Sequence, residues 1–397
     1  MTNILMIALE PGRWGPARLI SPLSESGFHI AVLCPSENPI NKSSHISKHY
    51  DLPYIKSWRR FAGQLCRVVA TWRPDLILPC DERVIAAIHF IVRKKLSGQR
   101  VISDQLLQLL LLSIGNPDRF DAMILKNETR RLAIKLGMAV PEGAQVDSVA
   151  SAVRVAGNLG FPVYLKSSFS WAGLGTYECR SAAEVERAFR KLNPQRTRVK
   201  DVCRFILKRD WYPKYTAIEV QRAIPGKSAM YNLLTWRGKY LGGFFATREE
   251  TTGNNGPSSV VKIGANQKCE AIARKMASAL GLTGFCAFDF IWDEDKQHAV
   301  LLECNPRPNQ VNHLGARIGM DLCAALAESY HGKSTQIQFA TRTTTVPLFP
   351  QEWLRSEQSA LAKRTELDIP TSDPKLLSFM LSEGAKLGRS VAKLKLA

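Results

Sequence analysis

The stretch GFCAFDFIW-DEDKQ-HAVLLECN, residues 284–305, decides the fold of this chain. Two apolar runs flank a short acidic segment, which is the pattern of an antiparallel β-hairpin. If the turn is centred on Lys296, Asp289 and Glu303 are equidistant from it and face each other across the two strands. Asn305 lies two residues beyond Glu303 and therefore points to the same face, because side chains alternate along a strand. The spacing thus predicts one polar face on an otherwise apolar hairpin.

These three polar side chains offer only oxygen ligands, without a histidine or cysteine cluster nearby. Oxygen ligands suit Mg²⁺ or Mn²⁺ better than zinc, and a cation would remove the repulsion between the two carboxylates. Phe288, Phe290, Leu302 and Cys304 are expected to turn to the opposite face, toward a core. Arg307 follows where it could reach a phosphoryl group. The alternative is an exposed hairpin face with solvated charges.

A second polar feature lies earlier in the chain, where Lys166 ends an apolar strand and precedes SSFSWAGLGT. A lysine followed by a loop of small residues can hold phosphates through its charge and through backbone N–H groups. Gly173 and Gly175 could equally form a simple hairpin turn. Lys126, which precedes a predicted helix, is by itself typical of a solvent-exposed lysine.

The first hundred residues alternate between apolar strands, at 3–9, 28–34 and 75–79, and amphipathic helices, at 14–26, 58–72 and 82–95. Such alternation predicts a parallel sheet covered by helices. No GxGxxG follows the first strand, which argues against a dinucleotide site there. Asp81 and Glu82 follow the third strand, where α/β sheets often bind ligands, so these two acids are candidates for a substrate contact.

Composition limits the class of protein. The nine cysteines contain no CxxC spacing and most lie in apolar runs, which favours reduced thiols and a cytoplasmic location. The N-terminus is typical of a strand rather than a signal peptide, and no apolar run approaches the roughly 20 residues of a membrane span.

The formal net charge of +19 would suit a nucleic-acid partner. The basic residues concentrate at 190–214 and in a C-terminal cluster at Lys386, Arg389, Lys393 and Lys395. No nucleic-acid-binding module is recognisable, so solvated basic faces are favoured over nucleic-acid binding.

The order and spacing of these motifs resemble the ATP-grasp superfamily, most closely its carbamoyl-phosphate-synthase-like and carboxylate–amine-ligase-like members. LLECNPRPN, from Leu301, resembles the metal-binding strand, and FDF at 288–290 resembles the strand that carries the other metal ligand. YLKSS with AGLGT resembles the strand and glycine loop that close over the triphosphate. IEVQRAIPG, from Ile218, resembles the segment whose backbone binds adenine, which places Gln221, Arg222 and Ala223 there.

The resemblance implies roles for the residues. Asp289, Glu303 and Asn305 would bind Mg²⁺ (or Mn²⁺), and Arg307 would act in catalysis. ATP would be bound by Lys126, Lys166, Gly173, Gly175, Gln221, Arg222, Ala223 and Ser228, the last at the position where many members have a ribose-binding glutamate.

The resemblance also implies an α/β fold with α+β subdomains. Residues 1–112 would form a parallel pre-ATP-grasp unit and 113–335 a two-subdomain ATP-grasp fold, with its glycine-loop part at about 140–222 and its metal-binding part at about 223–335. Residues 336–397 would be a basic C-terminal extension.

The implied activity is ATP-dependent ligation, in which a small-molecule carboxylate is activated as an acyl phosphate for attack by an amine. Two alternatives stay open within the resemblance: carbamoyl-phosphate-type chemistry on bicarbonate or carbamate, and a protein that binds ATP without turnover. A homodimer is a further expectation.

Overall fold

The computed structural model describes residues 2–10, 12, 14–53, 57–170, 175–193, 217–253, 256–332, 339–356 and 367–387. Within these residues the chain forms three sheets. The expectation of a mixed α/β fold, with a parallel N-terminal unit, is confirmed.

The N-terminal sheet is parallel, with the strand order β3-β2-β1-β4. Its strands are β1 (Thr2–Ile7), β2 (Phe28–Cys34), β3 (Lys48–Asp51) and β4 (Leu76–Pro79). Its helices are α1 (Trp14–Arg18), α2 (Ile20–Glu25), α3 (Trp58–Trp72), α4 (Glu82–Leu96) and α5 (Asp104–Ile114). The single helix predicted at 14–26 is therefore wrong, since Leu19 separates two short helices.

Two helices, α6 (Phe120–Ile124) and α7 (Lys126–Lys135), lead into a small antiparallel sheet with the order β5-β8-β6-β7. This sheet consists of β5 (Gly143–Val146), β6 (Val163–Ser167), β7 (Thr176–Cys179) and β8 (Ile218–Arg222). Helices α8 (Val149–Leu159) and α9 (Ala182–Leu192) cover one face of it and bury a separate apolar core.

The largest sheet has six antiparallel strands in the order β13-β12-β9-β10-β11-β14. They are β9 (Lys227–Trp236), β10 (Lys239–Thr251), β11 (Ser258–Gly264), β12 (Gly284–Asp293), β13 (His298–Asn305) and β14 (Thr344–Pro347). Helix α10 (Gln267–Leu280) packs on one face, while the 3-10 helix Asn312–Ile318 and α11 (Leu322–Tyr330) pack on the other.

The described part of residues 336–397 packs against the rest of the protein. β14 completes the large sheet through its pairing with β11. Helices α12 (Gln351–Arg355) and α13 (Pro374–Lys386) share the core of the N-terminal sheet. Arg18 and Ser43 also bond to Asp368 and Asp373 of this segment.

Candidate active site

The acid pair lies on β12 and β13, where Asp289 is paired with Glu303 as predicted. This pairing does not result from a symmetric register about the turn. From the turn at 294–297 outward, the register brings Phe290 opposite Leu301, and Leu302 is then an extra residue. This β-bulge shifts the register by one, so that Glu303 rather than Leu302 meets Asp289.

The bulge also corrects the predicted core. Leu301, at 2% exposure, joins the apolar cluster with Phe288, Phe290 and Cys304, whereas Leu302 is only half-buried. Asn305 pairs with Ala287 two residues beyond Glu303, and therefore lies on the same face as the acid pair.

Burial and mutual repulsion set the charge of the pair. The pKa of Asp289 is raised far above its usual range, first by burial and then by the neighbouring charge of Glu303. Burial also acts to raise the pKa of Glu303, but the charge of Lys126 and its hydrogen bond outweigh burial and leave that pKa below its usual value. Burial and repulsion thus disfavour ionisation of both carboxylates together, and a divalent cation would favour it.

Lys126 is the first residue of α7 and reaches the acid pair directly. Its Nζ lies 2.9 Å from Oε2 of Glu303. The same ammonium donates to the carbonyl oxygen of Ser170 at 2.6 Å and to its hydroxyl at 3.0 Å. The backbone N–H of Lys126 donates to the carbonyl of Ser168 at 2.9 Å. One lysine thus links β13 to the loop after β6.

Lys166 lies on β6 between Thr176 of β7 and Glu219 of β8. Burial lowers its pKa, while the charges of Glu303, Glu219 and Asp289 act in the opposite direction. The ammonium of Lys166 is therefore within the electrostatic reach of the acid pair.

Glu219 was not singled out from the sequence, yet it is buried opposite Lys166. Its carboxylate accepts a hydrogen bond from Nε2 of Gln221 at 3.0 Å and lies 3.5 Å from Nη1 of Arg130. The alternation Glu-Val-Gln on β8 could have indicated a polar face, because positions 219 and 221 point to the same side.

Only part of the glycine loop lies within the described residues, and Gly173 is outside them. Gly175 has φ +73°, and its carbonyl accepts the N–H of Ser167 at 2.9 Å. A Cβ at this position would lie 3.2 Å from Cβ of Ser170, so the backbone conformation and the close approach both favour glycine.

The predicted adenine-binding segment lies at the end of β8. Gln221 is buried, whereas Arg222 is exposed and bonds to Glu142. The N–H of Arg222 donates to the carbonyl of Glu142 at 2.8 Å, and that of Ala223 to the carbonyl of Pro162 at 3.2 Å. Adenine at this segment would have to use groups other than those two N–H donors.

Ser228 is exposed on β9, opposite Ile291 and two residues from Met230, the partner of Asp289. Ser228 therefore lies on the same sheet face as the acid pair, two residues farther along the strands.

Arg307 is anchored by Glu82, which the sequence indicated only as a weak candidate. Its Nε donates to Oε1 of Glu82 at 2.8 Å, and both side chains are 11% exposed. Its Nη2 also donates to Oδ1 of Asn305 at 3.3 Å. Burial acts to lower the pKa of Arg307, but Glu82 outweighs burial and raises it. Through Arg307, Glu82 therefore couples the N-terminal unit to the end of β13.

Asp81, the neighbour of Glu82, does not reach toward the site. Its carboxylate accepts the backbone N–H groups of Leu9 at 2.5 Å, Glu10 at 2.9 Å and Val84 at 2.9 Å. It caps α4 and holds the end of β1, so the substrate contact expected at these two acids does not apply to Asp81.

A cleft lies between these elements. Its empty volume is about 370 Å³, a figure that includes space open to solvent. Glu82, Lys126, Ser170, Glu303 and Asn305 line it. No group of three or more His, Cys, Asp or Glu side chains suited to a metal occurs in the described ranges. A cation here would need Asp289, Glu303, Asn305 and further oxygens from a ligand, which is the usual manner of Mg²⁺ with nucleotides.

Comparison with known proteins also indicates an ATP-binding domain. Residues 126–221 match the family model described as carbamoyl-phosphate synthase L chain, ATP binding domain. A putative urea carboxylase of Emericella nidulans is 33% identical over 108 residues, which are 27% of this chain and 9% of that protein. The chain therefore spans less than a tenth of the length of this curated relative.

Two solved structures show the same fold at low identity. A biotin carboxylase complex with β,γ-ATP from Campylobacter jejuni superposes with a TM-score of 0.63 and 13% identity, over 87% of this chain and 74% of that one. An L-amino acid ligase from Bacillus licheniformis gives a TM-score of 0.59 and 13% identity, over 87% and 79% of the two chains.

Within the described ranges, none of the helices is both long and apolar enough to cross a membrane. The chain has the ATP-grasp fold, and its match to the ATP-binding domain of carbamoyl-phosphate synthase large chains confirms the resemblance predicted from its motifs.

Proposed function

We propose that this protein is a Mg²⁺-dependent, ADP-forming ligase that activates a carboxylate as an acyl phosphate for attack by an amine. The observation that carries the proposal is the acid pair Asp289–Glu303 with Lys126 at 2.9 Å and Lys166 within electrostatic reach. Glu303 and Lys126 line the cleft, with Asp289 paired to Glu303 behind them. Carboxylates and ammonium groups side by side suit a metal–triphosphate complex, which carries charges of both signs.

Mg²⁺, when bound by Asp289, Glu303 and Asn305, would neutralise charge on the phosphate oxygens. Lys126 and Lys166 would hold the same oxygens from the side of the small sheet. A substrate carboxylate oxygen attacks the γ-phosphorus, and the bond to the leaving ADP oxygen breaks. Arg307, oriented by Glu82, would stabilise the charge of the transferring phosphoryl group.

In the second step the amine nitrogen attacks the carbonyl carbon of the acyl phosphate. Inorganic phosphate leaves, and the nitrogen loses a proton to give the amide. The rate enhancement would come mainly from positioning and from preorganised charge.

Carbamoyl-phosphate-type chemistry on bicarbonate or carbamate is the second candidate, and the match at residues 126–221 favours it. The shared fold with the L-amino acid ligase of Bacillus licheniformis, by contrast, fits carboxylate–amine ligation. Both reactions form an acyl phosphate from a carboxylate-like oxygen, so the same residues would serve either.

The free state of the eight described cysteines fits the proposed reducing, cytoplasmic location. A homodimer is part of the proposal, and light scattering in solution measures it.

The test is a screen for phosphate release with Mg-ATP against pooled amino acids, hydroxy acids and bicarbonate, with and without pooled amines. Glu303→Gln should reduce release by about 100-fold or more, by analogy with the loss of one preorganised charge or donor, ~3 kcal/mol. Asp295→Asn, an exposed acid in the turn of the same hairpin, is the matched control and should keep full activity.

Undiminished release in Glu303→Gln would refute the assignment. Mg-ATP binding without release against any pool would instead favour an ATP-binding protein without turnover. Release that depends on bicarbonate would favour the carbamoyl-phosphate type, whereas release that depends on amino acids would favour amide ligation.

A further inference from the structure

Arg248 lies on β10 at a position that the proposed roles leave unused. β10 pairs with β9 so that Ala246 faces Met230, and Met230 in turn faces Asp289 of β12. Arg248 is two residues beyond Ala246 in an unbroken register and pairs with Val261. Because alternate residues of a strand point to the same side, Arg248 shares the sheet face of Asp289.

One donor of the Arg248 guanidinium, Nε, has no hydrogen-bond partner among the described residues. The side chain is half-buried, and its Nε is fully buried. The two acids that follow it are engaged elsewhere. Glu249 accepts the hydroxyl of Thr247 at 2.7 Å, and Glu250 lies 3.6 Å from Arg355. A buried donor on a cationic group is costly unless an anion meets it.

Arg248 and Lys126 lie on opposite sides of the acid pair. Lys126 reaches Glu303 on β13, the edge strand of the large sheet. Arg248 is on the opposite side of the acid pair, two strands inward from β12. Standard strand spacing and rise put its Cα about 12 Å from that of Asp289, and the long side chain spans part of that gap. Its positive charge is felt at Asp289, where it acts to lower the pKa.

We propose that Arg248 binds the carboxylate of the acid substrate, on the side of the metal site opposite the phosphate-binding lysines. This inference rests on the proposed ligase function and adds the residue that selects an anionic acid. A guanidinium presents parallel N–H donors that match the two oxygens of a carboxylate. The carboxylate would supply the acceptor that Nε lacks and would place the acid on the sheet face that carries the acid pair.

The first test uses phenylglyoxal, which modifies arginine, with mass spectrometry of the peptide that contains residue 248. The probes are a pool of glycine, L-alanine and succinate, compared with the pool of their carboxamides, in the presence of Mg-ADP. The exposed Arg154 of α8 serves as the reference residue. The carboxylate pool should slow modification of Arg248 severalfold, while the carboxamide pool and Mg-ADP alone should not.

Three outcomes would overturn the proposal. Protection by Mg-ADP or inorganic phosphate as strong as by the carboxylates would make Arg248 a phosphate ligand. Equal modification under all conditions would show that no carboxylate reaches it. Absence of modification in the free protein would show that the side chain is inaccessible to a substrate.

The second test compares Arg248→Met with Arg154→Met in the ligase assay. The concentration of acid that gives half-maximal phosphate release should rise about 10- to 150-fold, the range for a lost charge-assisted hydrogen bond, while that for ATP stays unchanged. The melting temperature of Arg248→Met should match or exceed that of the wild type, because an unsatisfied buried donor is removed. A clear decrease in melting temperature would identify a structural role and overturn the proposal.

Failure of this proposal and failure of the proposed function are distinguishable. If calorimetry shows no binding of Mg-ADP to the wild type, the ligase function fails. Protection of Arg248 by carboxylates is measured independently, and an unchanged acid requirement in Arg248→Met with intact turnover would refute only the role of this arginine.

Discussion

Asp368 is the residue whose replacement should detach the C-terminal segment from the rest of the protein. Its carboxylate is buried, with Oδ2 2.7 Å from Nε2 of His313 and Oδ1 2.5 Å from Nη2 of Arg18. Arg317 lies at 3.4 Å. Burial acts to raise the pKa of Asp368, but Arg18, the hydrogen bond with His313 and Arg317 outweigh it and lower the pKa from 3.8 to about 2. The perturbation is Asp368→Asn.

The free energy follows from that shift. A difference of just under two pKa units corresponds to about 2.5 kcal/mol of folding stability at neutral pH. The variant also leaves Arg18 buried without its anion, which can raise the loss to about 5 kcal/mol. Because the carboxyl pKa is lower in the folded state, the ionised form of Asp368 stabilises the fold. The stabilisation is fully present above about pH 4 and is lost as the pH falls through about 2.

Amide hydrogen exchange in α13 measures the local effect, since a chain of this size with three sheets need not unfold in one step. Asp368→Asn should lower the protection of α13 at pH 7 by about 60-fold or more, and the difference from the wild type should shrink toward pH 2. Asp118→Asn, an exposed carboxyl, is the control. Unchanged protection at pH 7, or a difference that persists undiminished at pH 2, would refute the electrostatic account.

Three further outcomes are expected. Lys166→Met should weaken Mg-ATP binding by about 10- to 150-fold in calorimetry, whereas Lys135→Met, an exposed lysine on α7, should not change it. Gly15→Ala should lower the free energy of unfolding in denaturant melts by about 1–3 kcal/mol, because its Cβ would lie 2.5 Å from a backbone oxygen of the loop after β13. The control is Gly63→Ala, whose Cβ would meet no atom within 4 Å and which should be neutral or stabilising. The affinity for Mg²⁺ should rise with pH as Asp289 loses the proton that its raised pKa retains, and a pH-independent affinity in calorimetry would contradict this.

The hairpin could be predicted because its signal is local. Two apolar runs and an acidic turn determine antiparallel pairing within 22 residues, 284–305. The bulge at Leu302 could not be predicted, because an extra residue changes which side chains face the core without changing composition. The pairing of Asp289 with Glu303 was therefore correct, while the assignment of Leu302 to the core was wrong.

Contacts between segments far apart in the sequence were the features that the sequence analysis missed most often. The ion pair between Glu82 and Arg307 joins residues 225 positions apart, and no periodicity in either segment indicates it. Arg248 was overlooked for a similar reason. Its importance depends on strand order and on the lack of a hydrogen-bond partner for its Nε among the described residues, which appear only when β9, β10 and β12 are placed side by side.

The contacts of the C-terminal extension could not be predicted, because basic composition carries no information on strand pairing. Four residues, Thr344–Pro347, nevertheless form the edge strand β14. Short strands of this kind carry little sequence signal, since their pairing is stabilised by the strand they join.

The strand order also determines when the sheet that carries the acid pair can be completed during synthesis. β11 is translated well before its partner β14, with α10, the hairpin and α11 between them. Until residue 347 has been made, the edge of β11 presents unpaired N–H and C=O groups, the kind of edge that recruits strands from other chains. Shortened versions of the protein that stop before β14 would therefore be prone to aggregate, even though they retain every proposed metal and phosphate ligand.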